Sequence, residues 1–158
     1  MARGANPFFE ALKSQRHSFE QAKIVSLFQK MDRDRLVGVD PRLVAVVKRA
    51  IQISTVDFMV VEGVRTLARQ RELYAQGRTK PGKKVTWTMN SRHIEGKAVD
   101  LLPAPYDWKD PKGFDAVNRA MMQAAGELGV GLRWGRDWNR NGIAGEKGEA
   151  DSPHWELT

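Results

Sequence analysis

Residues 91–100 read Ser91-Arg92-His93-Ile94-Glu95-Gly96-Lys97-Ala98-Val99-Asp100, and residues 151–156 read Asp151-Ser152-Pro153-His154-Trp155-Glu156. Lys97 to Leu102 has the composition of a short strand, and its alternation puts Asp100 on the face shared with Ala98 and Leu102. Gly96 permits a tight reversal ahead of that strand, so His93 folds back towards Asp100. His154 and Glu156 lie two apart in a terminal strand-like run and share a face of their own. Two such strands side by side make a rigid platform. With the helical stretches read below, the expected fold is α+β, a small, mainly antiparallel sheet with helices packed on it.

The side chains on that platform suit a metal. A catalytic zinc takes about three nitrogen or oxygen ligands and keeps one position for water. The chain has no cysteine, which removes disulfides and thiolate sites, and two of its three histidines sit in the quoted blocks. His93, Asp100 and His154 are the candidate ligands. A single histidine beside a glycine turn is ordinarily a surface or core residue, so it is the combination that points to a metal. Asp151, three residues before His154 with Pro153 stiffening the approach, is placed to reach a water on the metal without being a ligand. Taken alone, Asp-Ser-Pro is simply a turn.

These blocks resemble those of the zinc peptidases that act on bacterial cell-wall peptides, the VanX- and VanY-like group, and within it the phage L-alanyl-D-glutamate endopeptidases, or endolysins. The family pattern of Ser-x-His, then Ala-x-Asp, then Asp-x-x-His-x-Glu is met by both blocks, and Glu62-Gly63-Val64-Arg65-Thr66, with Gln70 beyond, is similar to the family's Gly-x-Arg-Thr segment. The likeness runs in order over residues 36–158. It implies a hedgehog/DD-peptidase-like fold, Zn2+ as cofactor, peptidoglycan stem peptides as partner, and hydrolysis of the L-alanyl-D-glutamate bond in preference to D-alanyl-D-alanine. It also implies that Asp151 is the general base that passes a proton to the leaving amine. Arg65, at a strand end, would hold a substrate carboxylate or steady the oxyanion, where the plainer alternative is a structural salt bridge. Ser91 would bond substrate or orient the metal site. Gln70 either shares the face of Arg65 or makes a structural hydrogen bond, and Glu156 would orient a ligand.

The remaining sequence sets the context. At 158 residues the chain has room for one hydrophobic core. A net charge of +7 attracts anionic partners without naming them. No stretch interleaves aromatics with a dense basic run, so no specific nucleic acid is expected. No signal peptide or membrane-spanning run is visible, and a monomer made in the host cytoplasm is expected, acting on peptidoglycan after release through the inner membrane. Residues 1–35 are expected to form an N-terminal helical extension, with helical spacing over 7–31, and residues 36–158 the catalytic domain.

Within that domain, Asp40-Pro41 starts a helix with the apolar stripe Leu43, Val44, Val47, Ala50 and Ile51. Thr55 to Val61 is a strand, Thr66 to Gln76 a helix, Arg78 to Asn90 a basic loop that can line the cleft, and Phe114 to Leu128 a helix whose Met121 and Met122 fill the core. Gly131 to Glu149 reads as irregular, its Trp134 and Trp138 packing on the sheet or rimming the cleft. Asp137, Asn139 and Asn141 followed by Gly142 match half of a Ca2+ loop, but Gly148 stands where the bidentate glutamate belongs, leaving a plain Asx-turn loop as the alternative. Two other classes of function stay open: a non-catalytic envelope-binding module that keeps a metal, and a basic nucleic-acid-binding protein.

Overall fold

The computed structural model describes residue 30 and residues 32–158. The expected helix over residues 7–31, with Phe8, Leu12, Phe19, Ile24, Leu27, Phe28 and Met31 as its buried positions and His17 exposed, lies outside the described residues apart from Lys30. Arg35–Thr158 forms one compact unit.

Helix α1, Pro41–Ile53, begins as its sequence dictates: the Asp40 carboxylate accepts from the Arg42 amide at 2.9 Å and Pro41 fills the first turn. Its inward face is Leu43, Val46, Val47 and Ala50. Ile51, expected in the stripe, is 41% exposed, because spacings of three and four from Leu43 select Val46 instead. Strand β1, Phe58–Glu62, starts later than expected, since Ser54 and Val56 close a turn through the Ser54 hydroxyl. Helix α2, Leu67–Ala75, is capped by Thr66, which accepts from the Arg69 amide at 3.1 Å.

Strand β2 is Ala98–Pro103, and helix α3 is Pro111–Leu128. The helix begins three residues before the expected Phe114. Asp110-Pro111 repeats the Asp40-Pro41 start signal, and the Asp110 carboxylate accepts from the Lys112 amide at 3.1 Å. Gly129 closes it in the left-handed region at φ 64. Met121 is fully buried, whereas Met122 is 42% exposed, on the outer face.

Strand β3, Leu132–Trp134, falls inside the stretch expected to be irregular, and β4 is His154–Leu157. Three residues are too few to display alternation, and β3 exists through its ladder with β4. The sheet runs β1-β2-β4-β3 with every pair antiparallel. Helices α1 and α3 pack together, and α3 also contacts β2 and β3. Trp155 is fully buried against Trp134, their rings stacked at 5.8 Å, an aromatic contact of about 1 kcal/mol beyond area burial. Both indole N–H groups are satisfied, by Asn118 and by the Ser152 carbonyl.

Register positions the site. Asp100 stands opposite Glu62 on one side and His154 on the other, so three strands contribute a polar residue at one level of the sheet. Among the described residues no helix is long and apolar enough to cross a membrane.

Candidate metal centre and cleft

His93 sits in the turn ahead of β2, with Gly96 at φ +69 two hydrogen bonds deep in it: its amide donates to the His93 carbonyl and its carbonyl accepts from Asp40. Ser91 Oγ accepts from the His93 amide at 3.3 Å. The imidazole is buried, and its Nδ1 lies 2.8 Å from the Gly63 carbonyl oxygen. A carbonyl only accepts, so Nδ1 carries the hydrogen and Nε2 presents a lone pair. Gly63 is required where it stands, since a Cβ there would run into the Arg35 carbonyl oxygen.

His154 is held the opposite way round. Its Nε2 lies 2.8 Å from Glu156 Oε2, so Nδ1 is the nitrogen turned inward. Burial works against a charge on Glu156, but hydrogen bonds with His154 and Arg133 outweigh it and bring the carboxyl down to about 2. A carboxylate that its partners favour in the ionised form therefore fixes the His154 ring.

His93 Nε2, His154 Nδ1 and Asp100 Oδ1 form a triangle whose three edges each measure 3.2 Å. Ligands about 2.0–2.1 Å from a tetrahedral zinc lie about 3.3 Å apart, so nitrogen, nitrogen and oxygen at this spacing fit such an ion. Among the described residues this is the one His/Cys/Asp/Glu cluster whose ligand atoms converge in this way. Electrostatics agree. Burial disfavours charge on Asp100, yet the two imidazoles packed against its carboxylate, those of His154 and His93, hold it well below the usual carboxylate range. Burial likewise opposes charge on His154, but Asp100 and Glu156 push it up to about 9. The pocket between these groups demands positive charge, which a divalent cation satisfies.

Asp151 enters the same cleft from the turn before β4, its amide bonded to the Gly135 carbonyl. Although the residue is exposed, the cleft walls exclude enough water from its carboxyl to raise its pKa, with Asp100 adding to the rise against the pull of His154. Arg65 reaches the cleft from just beyond β1. Its Nε and Nη2 grip the Glu62 carboxylate, Nη1 donates to Gln70 Oε1 at 2.8 Å, and Nη2 stands 3.9 Å from Asp100 Oδ2. Burial opposes the charge, but Glu62 more than compensates and raises the pKa. Gln70 is fully buried and does not line the cleft; its amide donates to Thr86 Oγ1 and the Thr88 carbonyl, tying α2 to the loop. Gln70 therefore makes structural hydrogen bonds, one of them with Arg65 itself.

The cleft, about 320 Å³, is walled on one side by loop residues 85–88, with Trp87 78% exposed, and on the other by Trp138, whose ring lies 5.5 Å from His154. Trp138 rims the cleft while Trp134 belongs to the core. Two contributors lack a sequence signal: the Gly63 carbonyl, because backbone atoms have no signature, and Glu62, whose three-residue offset from Arg65 becomes meaningful only beside Asp100.

The Asp137 loop differs. Asp137 accepts from the Asn141 and Gly142 amides, Asn139 Oδ1 accepts from Asn141, and Asn141 Oδ1 accepts from Ile143. Its oxygens are taken by its own backbone, as in the Asx-turn alternative, and nothing in these contacts supports Ca2+.

The sequence profile described as "Phage L-alanyl-D-glutamate peptidase" matches residues 24–158. The L-alanyl-D-glutamate peptidase of Escherichia phage T5 is 37% identical over 139 residues, 82% of this chain and 96% of that one. The peptidoglycan L-alanyl-D-glutamate endopeptidase CwlK of Bacillus subtilis is 30% identical over 118 residues, 70% of this chain and 66% of its own. The crystal structure of the Serratia marcescens L-Ala D-Glu endopeptidase ChiX matches with a TM-score of 0.66 at 34% identity, covering 80% of this chain and 86% of that one.

Proposed function

The chain belongs to the phage L-alanyl-D-glutamate peptidase family, and on that premise we propose that it is a zinc-dependent endolysin that hydrolyses the L-alanyl-D-glutamate bond of the peptidoglycan stem. The single observation that supports it best is the convergence of His93, Asp100 and His154 at 3.2 Å in a cleft that also holds Asp151 and Arg65. His93 Nε2, Asp100 Oδ1 and His154 Nδ1 would hold the ion, and a zinc bound there would supply a Lewis acid for the scissile carbonyl and a water of lowered pKa.

The protein's own groups do the rest. As water attacks, Asp151 accepts one of its protons and delivers it to the departing amine; a C–O bond forms and the C–N bond breaks. A carboxylate with a raised pKa is the stronger base, which suits Asp151 to that step. Arg65 uses three N–H groups on Glu62 and Gln70, so it is held rigidly while a remaining N–H addresses the developing oxyanion. Glu156 and the Gly63 carbonyl fix the two imidazole tautomers. Ser91 steadies the His93 turn from the cleft wall. We assign this activity to residues 36–158 and treat residues 1–35 as an extension. The protein acts on the wall once a separate factor has opened the inner membrane.

Digestion of purified peptidoglycan by the zinc-loaded protein, followed by mass spectrometry, is the test. Fragments with a new glutamate amino terminus are expected, chelator abolishes them, and Asp151→Ala lowers their rate by about 10²–10⁴-fold. Wall binding that is indifferent to Asp151→Ala, with no fragments, would instead establish a non-catalytic module.

A further inference from the structure

Beside the metal centre, and continuous with its cleft, lies a second groove of about 530 Å³. The two share Asn90, Arg92, Trp138 and Glu156 in their walls. Three guanidinium groups line this groove, those of Arg92, Arg133 and Arg140, and Glu156 is the one acidic side chain among them. Glu156 is already committed to His154 and Arg133.

The arginines are incompletely neutralised. Arg92 bonds Glu95 and the Leu157 carbonyl, so it is fixed in place. Arg133 gives Nη2 to Glu156 and lies 5.0 Å over the Trp138 ring, while its buried Nε–H has no acceptor among the described residues. Arg140 is exposed and pairs with no acidic side chain among the described residues. It also sits at φ 60, a region that non-glycine residues seldom occupy, and the hydrogen bonds of the Asp137 loop keep it there. The contacts of the fold account for Arg92 and Arg133 but give no reason for the charge of Arg140 in a groove that adjoins the metal centre.

The bond in question gives one. In an L-alanyl-D-glutamate link, the glutamate is acylated on nitrogen, so both of its carboxyl groups lie on the amine side of the scissile bond. Continuation of the chain uses at most one of them. A free carboxylate therefore stands within a few bonds of the reacting carbon, and a terminal carboxylate further along adds to it; the alanyl side carries no such charge.

We propose that the groove formed by Arg92, Arg133, Arg140 and Trp138 is the subsite for the carboxylate-bearing, amine-side half of the substrate, with Arg140 its principal unshared cation. This rests on the peptidase function proposed above. It gives the cleft a direction: substrate runs from the alanyl side near Thr86 and Trp87, across the metal centre, into the arginine groove. Guanidinium forks suit carboxylates in two-point contacts, and their charge selects an anion over its neutral isostere.

The test uses the full-length zinc-loaded protein and short synthetic peptides containing the L-Ala–D-Glu bond. In one pair the free glutamate carboxylate is kept or replaced by a carboxamide; in a second pair the same exchange is made at the carboxyl terminus of the following residue. At least a ten-fold preference in kcat/KM for carboxylate is expected in one pair, which also says which carboxylate the groove reads. Arg140→Gln is expected to bring that ratio to within about two-fold of unity, and Arg140→Lys to restore part of it. A ratio is insensitive to the fraction of folded enzyme, so a merely structural role would leave it unmoved. Equal cleavage of both members of both pairs, or a preference untouched by Arg140→Gln, overturns the subsite and leaves the peptidase function standing. Failure to cleave any of the peptides overturns that function and the subsite together.

Discussion

Two stretches of this chain offer clustered oxygen or nitrogen donors to a cation, and they are folded on opposite principles. At the metal centre the imidazole N–H groups point outward, to the Gly63 carbonyl and to Glu156, so that lone pairs from His93 and His154 and an oxygen of Asp100 face one another at 3.2 Å. In the Asp137 loop the oxygens face backbone N–H groups of the same loop. Acceptors that converge on one another at this spacing call for a cation; acceptors that already hold N–H groups do not. Ligand-like composition is common to both stretches, and the direction of the hydrogen bonds separates them.

The largest effect that sharpens this contrast is expected from His154→Ala. It should cost at least about 10³-fold in wall hydrolysis, and elemental analysis should show loss of bound zinc. Retention of a full equivalent of metal would break the contrast at its stronger end. Glu156→Gln is next: it keeps the shape but weakens the anchor on His154 Nε2, and a metal competition titration should find affinity lower by about 10–100-fold. In the loop, Asp137→Ala removes the acceptor of two amide hydrogen bonds and should cost about 1–2 kcal/mol in denaturant unfolding with metal content unchanged. A lost equivalent of bound calcium in that variant would erase the difference between the two stretches.

The smallest effect concerns pH. Amide hydrogen bonds from Asn139 and Asn141 hold the Glu146 carboxyl below its ordinary 4.5. Its contribution to loop order is therefore fully present above that value and is lost as pH falls through the lower folded one. Hydrogen exchange of the loop amides should accelerate over that acid window in the native protein, and this dependence should be flatter in Glu146→Gln.

Much of this was legible without coordinates. Asp40-Pro41 announces a helix start because a short polar side chain caps free amides and proline tolerates the first turn, and the helix begins where that chemistry puts it; Thr66, read as the first residue of its helix, is instead the cap. The same chemistry at Asp110-Pro111 was hidden by the turn-like residues before it. His93, Asp100 and His154 were identifiable by residue type and spacing within two short blocks. Strand β3 was not, since its three residues gain their conformation only by pairing with β4. Nor was the groove of Arg92, Arg133 and Arg140, whose members are more than forty positions apart at the extremes and look like ordinary surface charge.

Residue type, short-range spacing and capping chemistry set the helices, the candidate ligands and the candidate base, because each depends on atoms a few bonds apart along the chain. Which nitrogen each histidine turns inward, that Glu62 anchors Arg65 beside Asp100, and that Asp137 bonds its own loop were decided by the antiparallel register of β1, β2 and β4 and by turns docked against them. Hydrogen-bond direction is a property of partners brought together in space, and a linear string of residues does not contain it.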